Sequence, residues 1–452
     1  MEINFLGATG TVTGSRYLIT EGSEKILVDC GLFQGFKQLR LRNRAPFPVD
    51  PGGIHAVVLT HAHIDHSGYL PLLIKNGFSG KVYCTRGTRD LCSILLPDSG
   101  YLQEEEARFA NEHRYSRHAP ALPLYTRLDA ERALEQFAPV DFDREISLAG
   151  GLHLRFLPAG HIVGSSLVSL KNDQVSILFS GDLGRPHDLI MKPPTVVQQA
   201  DYLVLESTYG DCLHESSDPG AVLAEIINRT VKRGGMILIP SFAVGRAQTL
   251  LYTIHLLKSS KAIPDIPVYL NSPMAVEATE IYRAHQKEHR LTAAQCREMC
   301  TAAHFVNSVE ESKRLNTIRE PMILISASGM ASGGRVLHHL KAFAPGEQNT
   351  ILFVGFQVGG TRGEAMINGA KEVKVHGDYV PVRAEVVAMD HFSAHADSAE
   401  ILDWLKHFKT PPRETFITHG EPGPADGLRH RIEEKLGWRC RVADFMEHLT
   451  LK

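Results

Sequence analysis

The chain has 452 residues, 43% of them hydrophobic and 22% charged, which is ordinary for a globular protein and enough for two or three domains. A net charge of −3 excludes a global basic field, so a polyanionic substrate would have to be held by metals and local arginines. The seven cysteines are scattered and lack a C-x-x-C pair, the first residues lack a basic and apolar leader, and no apolar run reaches the ~20 residues of a membrane span; a reducing, cytoplasmic setting without membrane contact is expected.

Apolar runs at 3–6, 15–19 and 25–28 predict consecutive strands, with Gly7, Gly10 and Gly14 serving the turn between the first two. The spacing G-x-x-G-x-x-x-G is not the dinucleotide fingerprint, which excludes a Rossmann loop there. The third strand ends in Asp29-Cys30-Gly31, where Asp29 is either an anchor behind a metal ligand or a turn cap. The buried run 56–59 leads into Thr60-His61-Ala62-His63-Ile64-Asp65-His66-Ser67-Gly68. Residues two apart in an extended segment point the same way, so His61 and His63 can close on one ion. Asp65 and His66, where the chain turns into a helix from Gly68, can face a second.

Residues 85–112 read as a helix whose Gln103–Glu106 run is a solvated face. Strands at 152–157, 175–180 and 202–205 then deliver His161, Asp182 and Glu206 at their ends, each close to glycine. A lone strand-end histidine is most often structural, whereas a series of such termini is what one active-site edge requires.

From about residue 211 to 387, longer helices alternate with apolar strands. The strands 236–240 and 322–326 each run through a small-residue loop into a helix, at 246–258 and 335–343, which predicts a parallel α/β sheet. The shared pattern is the common grammar of such sheets rather than a duplication. The loop Ser328-Gly329-Met330-Ala331-Ser332-Gly333-Gly334-Arg335 has backbone N–H groups and a cation suited to a phosphate, and Arg246 and Arg362 stand in similar positions. Two further strand ends carry His395, before a helix at 398–408, and His419, after a strand at 415–418; a helix at 427–436 and a strand at 439–442 close the chain.

The loop H-x-H-x-D-H with His161 and Asp182 resembles the metallo-β-lactamase superfamily, and Glu206 in E-S-T-Y-G, His395 in F-S-A-H-A and His419 in T-H-G-E resemble its β-CASP group, in particular the RNA-processing branch. The resemblance covers essentially the whole chain in order. It implies an αββα sandwich (1–208 and 388–452) with an inserted β-CASP α/β domain (209–387) of mainly parallel sheet. It assigns His61, His63 and His161 to a first zinc, Asp65, His66 and His419 to a second, and Asp182 to a bridge; manganese or iron would also accept this set. Asp65 and Asp182 thereby join Glu206 and His395 as the catalytic set, with Glu206 orienting His395 as general acid.

The implied activity is hydrolysis of single-stranded RNA, endonucleolytic with 5′–3′ trimming left open, giving 5′-phosphate and 3′-hydroxyl ends. RNA rather than DNA rests on His419, which the DNA-processing branch lacks, and the inserted domain is expected to wall a cleft that excludes duplexes. A homodimer is compatible with the sequence. The rival readings are a hydrolase of a small ester or thioester and a non-catalytic RNA-processing subunit; the long insertion argues against the former, and the intact ligand set against the latter.

Overall fold

Apolar residues at every second position build the first core. Ile3 and Phe5, Tyr17 and Ile19, Ile26 and Val28, and Ala56 and Val58 from one sheet face Leu154 and Phe156, Val168 and Leu170, Ile177 and Phe179, and Tyr202 and Val204 from another. The opposite parity of the second sheet, with Leu167, Leu178, Leu203, Leu205 and Ile417, is also apolar because it packs on the helices Ser398–Leu405 and Pro422–Leu436 through Ile401, Leu405, Leu428 and Ile432. The helix Arg86–Glu112, capped by the Thr85 hydroxyl, buries Leu91, Cys92, Leu95 and Leu96. The result is an αββα sandwich.

The structure is a computed structural model that describes residues 1–114 and 118–452. It has two compact units, Met1–Leu213 with Ala394–Lys452, and His214–Ser393. In the first unit one sheet has the order His448–Thr450, Glu2–Phe5, Tyr17–Glu21, Glu24–Val28, Ala56–Val58, Lys81–Cys84, Phe137–Pro139, and turns from antiparallel to parallel after Glu24–Val28. The other has the order Cys440–Val442, Glu414–Ile417, Tyr202–Leu205, Ser176–Phe179, Ser166–Lys171, His153–Pro158, Glu145–Ser147, with the first four parallel. Among the described residues, no helix is long and apolar enough to cross a membrane.

Several local readings differ from the expectation. Strands Lys81–Cys84, Phe137–Pro139, Glu145–Ser147, Ser166–Lys171 and His448–Thr450 were not anticipated; most are three or four residues long, too short to display a period. The last helix begins at Pro422 rather than Gly427, because Pro422 and Pro424 stand in the first turn, where no N–H is needed. After the histidine loop there are two short helices, Ile64–Ser67 and Leu70–Lys75, so Asp65 and His66 already lie within a helical turn. The run at 103–106 is more than a solvated face: Gln103 Oε1 accepts from Leu124 N (3.1 Å) and Glu104 Oε2 from Arg127 N (2.8 Å), tying the next segment to the helix.

The second unit holds an all-parallel sheet, His304–Phe305, Val268–Asn271, Ile323–Ser326, Ile237–Pro240, Thr350–Phe353, Glu385–Ala388, with a hairpin Glu372–Val375 and Asp378–Pro381. Within it His339 is fully buried, with Nε2 2.6 Å from Asn271 Nδ2 and Nδ1 2.6 Å from Asn316 Oδ1, a pairing that only the neutral ring satisfies with Nδ1 as donor. Burial, helped by the charges of His338 and Arg335, pushes its pKa down to about 4. The unfolded chain protonates this ring near 6.5, so between the two values the unfolded state binds more protons and stability falls as the pH drops. Thermal or urea unfolding of the full chain should show a loss of about 2 kcal/mol between pH 7 and pH 5 from this residue. His339→Gln should remove that part of the slope.

Candidate metal centre and active site

Parallel strands present their carboxyl ends at one edge, and that edge collects the site. Asp29 follows Glu24–Val28 and His61 lies just beyond Ala56–Val58 in one sheet; Asp182, Glu206 and His419 follow Ser176–Phe179, Tyr202–Leu205 and Glu414–Ile417 in the other. His161 joins them from the turn between His153–Pro158 and Ser166–Lys171, an antiparallel hairpin that opens on the same edge.

The structure brings the expected residues together in three groups: His61, His63, His161 and Asp182; Asp65, His66 and His419; and Asp182, Glu206 and His395. In the first, His61 Nε2 is 3.1 Å from His63 Nδ1, His161 Nε2 is 3.2 Å from His63 Nδ1, and Asp182 Oδ2 is 3.2 and 3.4 Å from His61 Nε2 and His161 Nε2. In the second, His66 Nε2 and His419 Nε2 are 3.1 Å apart and Asp65 Oδ2 is 3.4 Å from His419 Nε2. Asp182 turns its other oxygen to this group, with Oδ1 3.1 Å from His66 Nε2 and 3.6 Å from His419 Nε2. That Oδ1 is buried and makes no hydrogen bond despite the proximity of His66. Nitrogens and oxygens converging at these separations match the edge of a tetrahedron, roughly 3.3 Å for metal–ligand bonds of ~2.0 Å. The donor set, imidazole and carboxylate without thiolate, therefore fits cations.

Electrostatics prepare the same arrangement. Burial, reinforced by the neighbouring His66, pushes His61 down to about 4, and burial with the charge of His395 pushes His161 well below its ordinary value, so both rings are neutral with a lone pair available. Burial opposes ionisation of Asp182, but the surrounding His66, His419, His61 and His395 outweigh it and hold the carboxylate well below its usual range. For Asp65, burial is likewise outweighed, here by the His419 hydrogen bond and the charge of His66. His66 moves the other way: burial is overcome by Asp182 and Asp29.

Behind these groups lies a supporting layer. Asp29 Oδ2 is 2.7 Å from His66 Nδ1 and accepts from Thr60 Oγ1 (2.9 Å), while its Oδ1 accepts from Thr60 N (2.8 Å); the ring is thereby held with Nε2 toward Asp182 and His419. Thr208 Oγ1 lies 3.1 Å from His419 Nδ1, and the Ala394 carbonyl 3.3 Å from His161 Nδ1. Glu206 accepts from Leu183 N (2.6 Å) and sits 3.0 and 3.1 Å from His395 Nδ1, whose Nε2 is 3.8 Å from Asp182 Oδ2. Asp29 and His419 hold φ of 57° and 48°, a region L-residues seldom occupy, and are kept there by Asp29 N to Val58 O and His419 N to Ala8 O.

Gly31 makes the closest approach: a Cβ there would stand 1.6 Å from Asp65 O. Its own carbonyl receives Nε and Nη2 of the buried Arg16 at 2.9 and 2.7 Å, while Cys30 N and Leu32 N bond to His66 O and Ile64 O. Gly31→Ala should displace the Asp65 and His66 turn and lower kcat/KM by about 100-fold, the cost of an ångström-scale misplacement, with metal content falling in parallel. An unchanged rate at full metal content would refute this. Thr60, Thr208, Arg16 and the Leu183 amide were not anticipated; of these only Thr60, immediately before His61, carried any signal in the sequence.

The residues expected to hold an RNA phosphate all lie in the second unit. Ser328 Oγ accepts from Ser332 N (3.1 Å) and Gly333 N (3.4 Å), and a Cβ on Gly329 would meet the Phe242 ring at 2.7 Å. Arg335, which precedes rather than opens the helix Val336–Phe343, donates to Asn271 Oδ1, Val306 O and Asn307 O. Arg362 donates to Lys374 O, Ala331 O and Ser332 O, and Arg246 lies against Gly355. Gly334 has φ 76°. In this structure Arg335 and Arg362 thus donate to side-chain and backbone oxygens of their own unit, where they tie loops together.

Three family descriptions match in order: "Metallo-beta-lactamase superfamily" over residues 9–212, "Beta-Casp domain" over 247–366, and "Zn-dependent metallo-hydrolase RNA specificity domain" over 379–443. The chain is 37% identical over 428 residues to "Ribonuclease TTHA0252" of Thermus thermophilus, covering 93% of each protein. The chain belongs to the β-CASP family of metallo-β-lactamase nucleases. As a β-CASP protein it is a metal-dependent hydrolase of the nuclease type. It is also 29% identical to "Transcription termination factor FttA" of Methanosarcina mazei and 30% identical to that of Pyrococcus abyssi, spanning 100% of this chain and 72% of each of those proteins. A solved structure of a protein of unknown function from Enterococcus faecalis shares the fold, with a TM-score of 0.55 at 14% identity over 100% of this chain and 99% of that one.

Proposed function

We propose that this β-CASP protein is a two-zinc ribonuclease that hydrolyses phosphodiester bonds of single-stranded RNA. The observation that carries the two-ion reading is Asp182, one oxygen toward each His/Asp group and Oδ1 buried without a hydrogen bond. His61, His63 and His161 would hold one ion, Asp65, His66 and His419 the other, and Asp182 would serve both. Zinc suits a set of imidazoles and carboxylates, and two such ions lower the pKa of water toward ~7 and clamp the oxygens of a phosphodiester. Asp29 fixes the His66 ring by accepting from its Nδ1.

Glu206, bonded to the Leu183 amide, holds His395 through Nδ1, which leaves Nε2 to carry a proton to the departing 3′-oxygen of the cleaved chain. Products with a 5′-phosphate and a 3′-hydroxyl follow. RNA as the substrate is supported by the RNA specificity description over residues 379–443 and by the ribonuclease relative. We assign 1–208 and 388–452 to the catalytic domain and 209–387 to the inserted β-CASP domain.

End-labelled single-stranded RNA incubated with the full chain should be cut in a chelator-sensitive reaction, and mapping the termini should give 5′-phosphates. Equal or faster cutting of double-stranded DNA would overturn the RNA assignment, and 5′-hydroxyl products the chemistry.

A further inference from the structure

The turn after the strand Cys440–Val442 displays two large apolar side chains to solvent, Phe445 at 40% and Met446 at 47% exposure. The turn is held firmly. Met446 N donates to Phe5 O (2.8 Å), Phe5 N to Glu447 O (2.9 Å), and Asp444 N to Glu447 Oε2 (3.1 Å). Met446 itself sits at φ 66°, a costly conformation for a long side chain with no evident packing purpose. One exposed apolar side chain is ordinary, so what marks this turn is the company Phe445 keeps.

The guanidinium of Arg42 lies over the Phe445 ring, 4.0 Å from its centroid, and 5.3 Å from that of Phe33. Arg42 ends the helix Lys37–Arg42, none of whose residues is buried, and which with Arg44 carries four cations in eight positions. No ion pair joins Lys37, Arg40, Arg42 or Arg44 to a carboxylate among the described residues; Arg44 donates instead to Leu122 O (2.8 Å). In a chain of net charge −3, this is a local basic strip interleaved with exposed Phe36, Leu41 and Phe445. Aromatic faces beside cations are the chemistry that holds single-stranded nucleic acid.

The strip borders the metal-ligand edge. Ile417 and Val442 are register partners on adjacent parallel strands, so the segments that lead to His419 and to Phe445 leave the sheet from neighbouring strand ends, which in a sheet lie about 5 Å apart. The Phe33 ring, against Arg42 on one side, would meet Cβ atoms on Gly7 and Gly14 at 3.3 and 2.5 Å on the other, and Ala8 O accepts from His419 N.

We propose that Phe445 and Arg42 form a stacking subsite for one base of the RNA strand, with Lys37, Arg40 and Arg44 pairing its flanking phosphates. This rests on the ribonuclease reading above. The base would stack beside the contacting ring and guanidinium, which at 4.0 Å leave no room between them, and the cations would contribute the salt dependence.

The test uses the full metal-loaded chain and a labelled oligouridylate, intact and with a single abasic residue moved along it. Wild-type cleavage of the intact strand is the control for the ribonuclease reading; if it fails, that reading falls first. Given cleavage, Phe445→Ala should raise KM by about 5- to 100-fold at unchanged metal content and melting temperature, and Phe445→Trp should restore it to within about threefold. With the wild-type chain, one abasic position should reproduce the loss seen in Phe445→Ala, and at that position the substitution should add no further loss. Lys37→Glu with Arg40→Glu should flatten the dependence of affinity on salt. An unaltered KM in Phe445→Ala would overturn the proposal, as would a loss that Phe445→Trp does not restore, since the ring would then be holding the turn rather than a base.

Discussion

Asp182→Asn should lower kcat/KM on single-stranded RNA by about 1000-fold or more and reduce bound metal by about one ion per chain. The size follows from what the amide cannot do. Asn keeps the volume and one carbonyl oxygen, but it loses the charge that four histidines are arranged around, and its NH2 group would face ring nitrogens. Removing a single charge-stabilising group from a preorganised site commonly costs 100- to 1000-fold, and a group that served two cations, as proposed above, would reach the upper end of that range or exceed it. Metal analysis beside single-turnover cleavage decides the matter. Two ions and a wild-type rate in Asp182→Asn would remove the shared role.

His395→Ala should behave differently, with metal content intact and kcat lower by about 100- to 10,000-fold. Its ring stands at the edge of the first group, Nε2 3.8 Å from Asp182 Oδ2, while Nδ1 is committed to Glu206. A residue so placed can deliver a proton without being needed to hold a cation. Glu206→Gln should cost less than His395→Ala alone, and the double variant little more than His395→Ala, because Glu206 acts through the ring. Loss of an ion in His395→Ala would move that residue from proton donor to ligand.

The two predictions show which parts of the site could be read in advance. The clustered histidines and aspartates were legible because their chemistry is carried by side chains at strand ends, where the sequence announces an apolar run and then a break: Val57-Val58 before His61, Leu178-Phe179 before Asp182, Phe416-Ile417 before His419. Of the partners behind them, Asp29 and Glu206 were named as candidates in advance and the others were not. Thr60, Thr208 and the Leu183 amide act through a hydroxyl or a backbone group that any sequence contains many times over. Arg16 falls within the predicted strand 15–19 without a role of its own, and only the fold reveals the Gly31 carbonyl and the Tyr69 ring, 4.0 Å away, that make its burial tolerable.

The partners that the arginines of the second unit have within the fold were hidden for the same physical reason. A cation beside glycine suggests an anion in sequence, but Val306, Asn307 and Lys374 supply carbonyls from distant segments, and a carbonyl leaves no trace in the identity of its residue. The αββα architecture came from the family resemblance carried by the strand-end motifs and not from periodicity, and three-residue edge strands such as Glu145–Ser147 carry too few positions to show a period at all.

His66 and His419 touch across 353 positions of chain, and the first sheet receives its edge strand His448–Thr450 from the same late segment. Synthesis therefore imposes an order on reactivity. While the ribosome is still reading the message, the emerging polypeptide holds His61, His63 and His66 but lacks His419, and its first sheet still lacks one neighbour. The cluster that joins His66 to His419 is in this way completed only after residue 419 has been synthesised, 353 positions after His66.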